Sequence, residues 1–410
     1  MSKTETGLIV RPPHPVFSGV GRVGFRAGLV ASFSILSAVI LLLMVLLPAA
    51  SCGYGAGGDE IVVGEFGSLT GDTADFGKVT HNGIELAIEE INASGGVKGK
   101  RLRLKTEDDQ SRAEEAATVV TKLINQDKVI ALLGEVASSR SLAAAPKAQD
   151  AKVPMISPSS TNPAVTLKGD YIFRVCFLDD FQGHCIARFA HDTLGTGRAA
   201  ILRDIRNDYS VGLANFFAEE FQRRGGAVVS DQSYSAGDAD FKAQLTAIRS
   251  SNPDVIMIPG YYNDVGQIAI QARDLGITVP LIGGDGWESP NLLAIGGKAL
   301  EGCYYSNHFD PSSLEPVVAN FVKKYSEKYG QAPGALAALG YDATKLLADA
   351  MNRAPELTGP AIRDQLAGTK GYPGVSGTIT MDQNRNPVKP LVVLQIKDGK
   401  ISLRETIPPS

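Results

Sequence analysis

What most restricts this chain is an alternation, kept up from Glu60 onward, of short β-branched apolar runs with longer stretches of helical periodicity. Ile61-Val62-Val63 predicts a strand, and Lys78 to Asn92 predicts a helix with Ile84, Ala87, Ile88 and Ile91 on one face. Leu102-Arg103-Leu104 reads as the next strand and Ala113 to Gln126 as the next helix. Val129-Ile130-Ala131-Leu132-Leu133 is apolar without a break, which fits a strand covered on both faces. A helix from Leu142 to Ala151 leads to Pro154-Met155-Ile156, which repeats the strand pattern. Such winding predicts mainly parallel sheets with right-handed crossovers.

A second round starts near Asp179. Strands are expected at 199–202, 227–229, 255–258 and 281–283, and helices at 211–224, 241–250 and 265–275. A return through Tyr304-Tyr305-Ser306 precedes helices at 315–329 and 335–353, and final strands fall near 377–380 and 391–396. At 410 residues the chain exceeds one ordinary core. The fold class is therefore α/β, with two doubly wound parallel-sheet lobes joined by a multi-segment hinge. We expect one lobe from 60–177 and 306–374, and the other from 178–305 and 375–410. Ligands of such sheets sit beyond the strand carboxyl ends, so two facing lobes make a cleft.

Ahead of this body stands a different kind of sequence. Arg11, Arg22 and Arg26 precede an uncharged run from Ala27 to Ala50, which ends in Ala49-Ala50-Ser51-Cys52. A positive flank, an apolar core and small residues describe a secretion signal, here 1–52. The cysteine after the small residues resembles the bacterial lipoprotein signal, in which Cys52 would be lipidated. An uncleaved anchor reads from the same run, since about 20 apolar residues span a bilayer. Both readings place the body outside the cytoplasm, tethered to a membrane. Gly53-Tyr54-Gly55-Ala56-Gly57-Gly58 matches a dinucleotide-binding spacing, but no strand feeds it, so 53–59 reads as a linker.

No catalytic pattern emerges: G-x-S-x-G, H-E-x-x-H, Walker A and paired C-x-x-C motifs are all missing. His184 and His191 lie two helical turns apart, too far to share one metal. We expect no metal, no cofactor and no enzyme activity. A net charge of −4 offers nothing to nucleic-acid phosphates. Cys176, Cys185 and Cys303 permit at most one disulfide, and spacing does not say which.

The polar turns after strands carry more. Gly134 to Ser139 and Ser157 to Pro163 each place hydroxyls and free backbone N–H groups at a strand end leading into a helix, a natural carboxylate site. Helix capping accounts for one such loop; two neighbouring loops favour a site. Gly283-Gly284-Asp285-Gly286-Trp287 puts a carboxylate between glycines, where an ammonium could meet it. Tyr209 and Tyr261 also fall at strand ends.

These residues resemble a family. Leu69-Thr70-Gly71 with Phe76-Gly77, then Ile91 to Gly99, is similar to the opening of branched-chain amino-acid-binding proteins, type I periplasmic binding proteins that serve ABC importers. Met155-Ile156-Ser157-Pro158-Ser159-Ser160-Thr161-Asn162-Pro163 resembles their most recognisable motif, and Asp180 to Gly183, Asn207 to Tyr209, Gly260 to Tyr262 and Gly283 to Gly286 follow in family order. The resemblance implies that Ser138, Ser159, Ser160 and Thr161 hold a ligand carboxylate. It further implies that Asp285 holds the ammonium, that Tyr209 and Tyr261 close around it, and that Phe76 meets the side chain. Trp287 is expected beside Asp285 by its place in the motif. Members that bind leucine, isoleucine and valine carry glutamate where Asp285 stands, and a cysteine of their first-lobe disulfide where Ala137 stands.

The expected function is capture of an amino acid, branched-chain or similarly aliphatic, by closure of two lobes. The expected partners are permease subunits of an ABC importer, with the protein itself a monomer on a lipid anchor. A sensor of the same fold, or a binder of a small amide such as urea, is the alternative. No kinase or second membrane span is seen in this sequence, which favours transport.

Overall fold

A computed structural model describes residues 60–409. Two sheets organise them. The first has strands β1 (Ile61–Gly67), β2 (Leu102–Asp108), β3 (Leu132–Leu133), β4 (Met155–Ser157) and β5 (Ile172–Arg174), in the order β2-β1-β3-β4-β5 and all parallel. Helices α1 (Ala74–Ala93), α2 (Ala113–Asn125) and α3 (Ser138–Asp150) connect the first four. Full burial of Val63, Ala131, Leu132, Leu133 and Ile156 between helices on both faces explains their unbroken apolar runs.

The second sheet follows helix α4 (Asp179–Arg188). Its parallel part comprises β6 (Arg198–Asp204), β7 (Ala227–Tyr234), β8 (Val255–Met257), β9 (Leu281–Gly283) and β10 (Tyr304–Asn307). Between them run α5 (Asp208–Arg223), α6 (Lys242–Ser250), α7 (Tyr262–Asp274) and the short α8 (Leu292–Gly296). The chain then returns to the first lobe through α9 (Pro316–Tyr329), α10 (Ala335–Arg353), α11 (Gly359–Ala367) and a hairpin of β11 (Tyr372–Gly374) with β12 (Gly377–Ile379). Strands β13 (Leu391–Lys397) and β14 (Lys400–Ile407) finish the second sheet antiparallel, giving the order β14-β13-β10-β9-β8-β6-β7. This is the two-lobe α/β architecture expected.

The crossings are fixed by packing. Helix α10 lies along α1 so closely that a Cβ on Gly83 would stand 2.0 Å from the Ala337 carbonyl oxygen, so only glycine fits there. Ile379 and Met381 still pack with Ile61 and Val63 in the first-lobe core. The last passage to the second sheet therefore comes after Met381, later than the 374 limit expected from sequence.

Some local expectations differ. The ladder at 129–133 is reduced to Leu132–Leu133, although Ile130 N–H still donates to the Val62 carbonyl at 3.1 Å. Helices begin earlier than expected, α1 at Ala74 and α5 at Asp208. Their first turns carry polar residues that face the cleft, outside the apolar periodicity used to find them. None of the three described cysteines is bonded, because Cys176, Cys185 and Cys303 each belong to a different core cluster. Among the described residues no helix is long and apolar enough to cross a membrane; the run at 27–50, Cys52 and the glycine-rich linker lie outside them.

Candidate functional site

Six strand ends converge between the lobes. Each sheet reverses its winding at one point, β1/β3 in the first and β6/β8 in the second, and the site loops leave the strands at and beside these points.

On the first-lobe side, Phe76 sits in the first turn of α1 and is 1% exposed. Ser138 opens α3, whose first N–H groups have no partner within the helix and whose positive end favours an anion. Ser138 Oγ accepts the Asn162 N–H at 3.2 Å, which ties this turn to the loop after β4. That loop brings Ser159 and Thr161 to the cleft, and Thr161 Oγ1 is buried without a well-formed hydrogen bond among the described residues. Ser160 turns the other way. Its Oγ lies 2.7 Å from Ser141 Oγ, 2.9 Å from the Glu135 carbonyl and 3.0 Å from the Val136 carbonyl, so it joins two loops rather than facing the ligand space. Arg174, wholly buried, donates to the carbonyls of Ser160 and Asn162 and holds the loop from behind.

Beneath these loops lies a closed ionic cluster. Arg140 Nη1 donates to Glu135 Oε1 at 3.1 Å, Arg140 Nη2 to Thr73 Oγ1 at 2.8 Å, and Ser68 Oγ stands 2.8 Å from both Glu135 Oε1 and Asp109 Oδ1. Burial, and then the Glu135 charge, push the Asp109 carboxyl up to about 8. One proton among these acids matches their charge to the single guanidinium.

The second-lobe side is built differently. Tyr209 and Tyr261 stack at 5.5 Å, and Phe76 meets Tyr261 edge-on at 5.1 Å across the cleft. Tyr209 Oη accepts the Gly286 N–H at 3.0 Å, fixing the turn that carries Asp285. Burial drives the Tyr209 hydroxyl well above its ordinary range, so it stays a neutral phenol. Asp285 Oδ2 lies 2.8 Å from His308 Nε2 and 3.5 Å from Ser159 Oγ, while Oδ1 has no partner among the described residues. Nearby Asp179 is fully buried; burial and the Asp285 charge raise its carboxyl well above the usual range, which favours the protonated form.

Phe76, Ser138, Ser159, Thr161, Tyr209, Tyr261 and Asp285 line one cavity of about 10 Å³, room for about one water, so its walls nearly meet. Pockets for drug-sized ligands hold about 300–1,000 Å³, so these walls must part to admit even a small ligand. Ser160 and Trp287 do not line it. Trp287 is completely buried in the second-lobe core, its Nε1 donating to the Ile258 carbonyl at 2.9 Å and its ring stacked near Tyr305. Asp285 and Trp287 stand two apart in a 3₁₀ turn, so their side chains leave it on different sides. Val136 and Leu336 complete the apolar end. Leu336 and His308 escaped the sequence reading; both sit on segments that return late in the chain, where no motif marks them. At the rim, Ser139 Oγ meets Asp208 Oδ2 at 2.8 Å and Asn291 Nδ2 meets Asp75 Oδ2 at 2.9 Å, which ties the lobes together.

No cluster suited to a metal occurs among the described residues; His191 pairs with Asp192, and His184 packs against Phe216.

Known proteins give the same picture. The model of a family described as periplasmic binding protein matches residues 60–400. The leucine-specific-binding protein of Salmonella typhimurium is 31% identical over 308 residues, 74% of this chain and 82% of that protein. The crystal structure of a leucine-binding protein from Thermotoga maritima superposes with a TM-score of 0.82 at 41% identity, covering 85% of this chain and 99% of that one. A branched-chain amino acid transporter substrate-binding protein from Streptococcus pneumoniae, in complex with isoleucine, gives 0.81 at 35% identity over 85% and 100%. These relatives are substrate-binding proteins, not enzymes. The chain belongs to the periplasmic binding protein family, in its two-lobed type I form.

Proposed function

We propose that this protein is the extracytoplasmic substrate-binding component of an ABC importer and captures an aliphatic α-amino acid between its lobes. One observation carries the reading: a small inter-lobe cavity with hydroxyls and a helix N-terminus on one wall, and a carboxylate with a free oxygen on the other. The ligand carboxylate binds Ser138, Ser159, Thr161 and the N–H groups opening α3. Its ammonium binds Asp285 Oδ1, and its side chain lies against Phe76, Val136 and Leu336. A zwitterion thus brings both charges to partners already placed, where any partner left unmade would cost about 1–3 kcal/mol. Opposite ends of the ligand touch opposite lobes, so binding selects the closed arrangement that the rim bonds describe. The lobes move about crossings near 178, 305 and 382–390, and a permease reads the closed form. Lipid on Cys52 tethers the monomer beside that permease.

Calorimetric titration of the protein, freed of copurified ligand by unfolding and refolding, tests this. Leucine, isoleucine or valine should bind saturably. Isocaproate, lacking the ammonium, and isoamylamine, lacking the carboxylate, should not. Equal binding of isocaproate and leucine would remove the role given to Asp285.

A further inference from the structure

We infer that His308 is the positioning residue for the ammonium site: it holds one oxygen of Asp285, leaves the other for the ligand, and links that contact to the hinge. The inference rests on the amino-acid reading above and deepens it.

Asp285 is a short acceptor. It projects from a three-residue turn after β9, and a carboxylate free to rotate would present either oxygen, or neither, to the cavity. His308 removes that freedom. Its Nε2 lies 2.8 Å from Asp285 Oδ2, and both side chains are almost fully withdrawn from solvent. A carboxylate only accepts hydrogen bonds, so the imidazole must carry its proton on Nε2. Nδ1 is then a bare acceptor, and it has no partner among the described residues. The ring is clamped from one side by Phe177, stacked at a centroid distance of 3.7 Å.

Charge assigns the same protonation. The charged groups acting on the ring are Asp285 and the buried Lys389. Burial outweighs the attraction of Asp285 and lowers the imidazole below its ordinary range, and Lys389 lowers it further. A neutral ring adds no positive charge beside the ammonium that Asp285 is there to meet. The placement is also telling. Phe177 lies where the chain first leaves the first lobe, after β5, and His308 where it leaves β10 to return. Asp285 is therefore joined to one crossing through His308 and to a second through the Phe177 stacked on it.

The test compares His308→Leu with His308→Gln, by leucine calorimetry and by thermal unfolding without ligand. His308→Leu keeps bulk and loses the donor; His308→Gln keeps an N–H donor. Positioning predicts about tenfold or greater weakening in His308→Leu, recovered to within about threefold by His308→Gln. Wild-type affinity in His308→Leu, or equal losses in the two variants, overturns the inference while leaving the amino-acid reading intact. Absence of leucine binding by the wild type defeats that reading instead. Should His308→Leu not fold, nitrogen NMR of the wild type decides, since a neutral His308 protonated on Nε2 is required and protonation on Nδ1 overturns it.

Discussion

The two walls of the cavity distribute charge in opposite ways. In the first lobe, neutral hydroxyls and backbone N–H groups face the ligand space, and the ions Glu135 and Arg140 sit behind them, paired with each other. In the second lobe the ion, Asp285, stands in front with a free oxygen, while the acid behind it, Asp179, is held towards its neutral form. First-lobe charge is used by the fold. Second-lobe charge awaits a partner, and a single residue supplies it.

Breaking that front charge should therefore have the largest consequence for binding. Asp285→Ala leaves a buried ammonium without a counter-charge, and removing one partner of such a pair costs about 2–5 kcal/mol. Leucine affinity should fall about a hundredfold or more by calorimetry. The apo protein should lose only about 1–3 kcal/mol of stability, because Oδ1 supports nothing in the fold and Oδ2 takes the buried His308 N–H. An affinity within a few fold of wild type would break the comparison at its centre.

The converse substitution lies in the first lobe. Arg140→Met removes the partner of Glu135, which is 0% exposed, and also the donor to Thr73. An uncompensated buried carboxylate costs about 3–5 kcal/mol. Denaturant unfolding should show a loss of about 3 kcal/mol, while the leucine affinity of the folded protein changes little, because Arg140 does not line the cavity. A selective loss of affinity with unchanged stability would show that first-lobe ions also serve the ligand.

Much of this was legible from the amino-acid order, for identifiable reasons. Loops at strand ends betray themselves by polar, glycine-rich turns after apolar runs, and Ser138, Thr161, Tyr209 and Asp285, which line the cavity, all stand in such turns. The unbroken apolar strands likewise revealed sheets covered on both faces. Ser160 and Trp287 do not line the cavity, because a motif fixes where the backbone goes, not which side each residue faces. In the loop after β4 alternate residues point inward and outward, and in the turn at Asp285 three residues complete a circle. His308 and Leu336 come from the return through the hinge and act on residues far away in sequence. The edge strand β14, KISLRETI, is mostly exposed and polar, so it carries no burial signal for its register.

The smallest effects should come from single hydroxyls, and their size bears on why the first lobe needs no ion at the front. Ser138→Ala or Thr161→Ala removes one neutral donor to the ligand carboxylate, worth about 1 kcal/mol, so each should weaken leucine binding about fivefold by calorimetry. The N–H groups opening α3 remain, since no side-chain substitution deletes them, and the helix end still favours the anion. Ser160→Ala sharpens the contrast: its hydroxyl binds the Glu135 and Val136 carbonyls, so unfolding should register its loss more than leucine does. A carboxylate shared among many weak donors loses little with any one of them. An ammonium that depends on one acceptor loses nearly everything. If Thr161→Ala alone matched Asp285→Ala, the first wall would also rest on a single contact, and the division between a distributed wall and a concentrated one would fail.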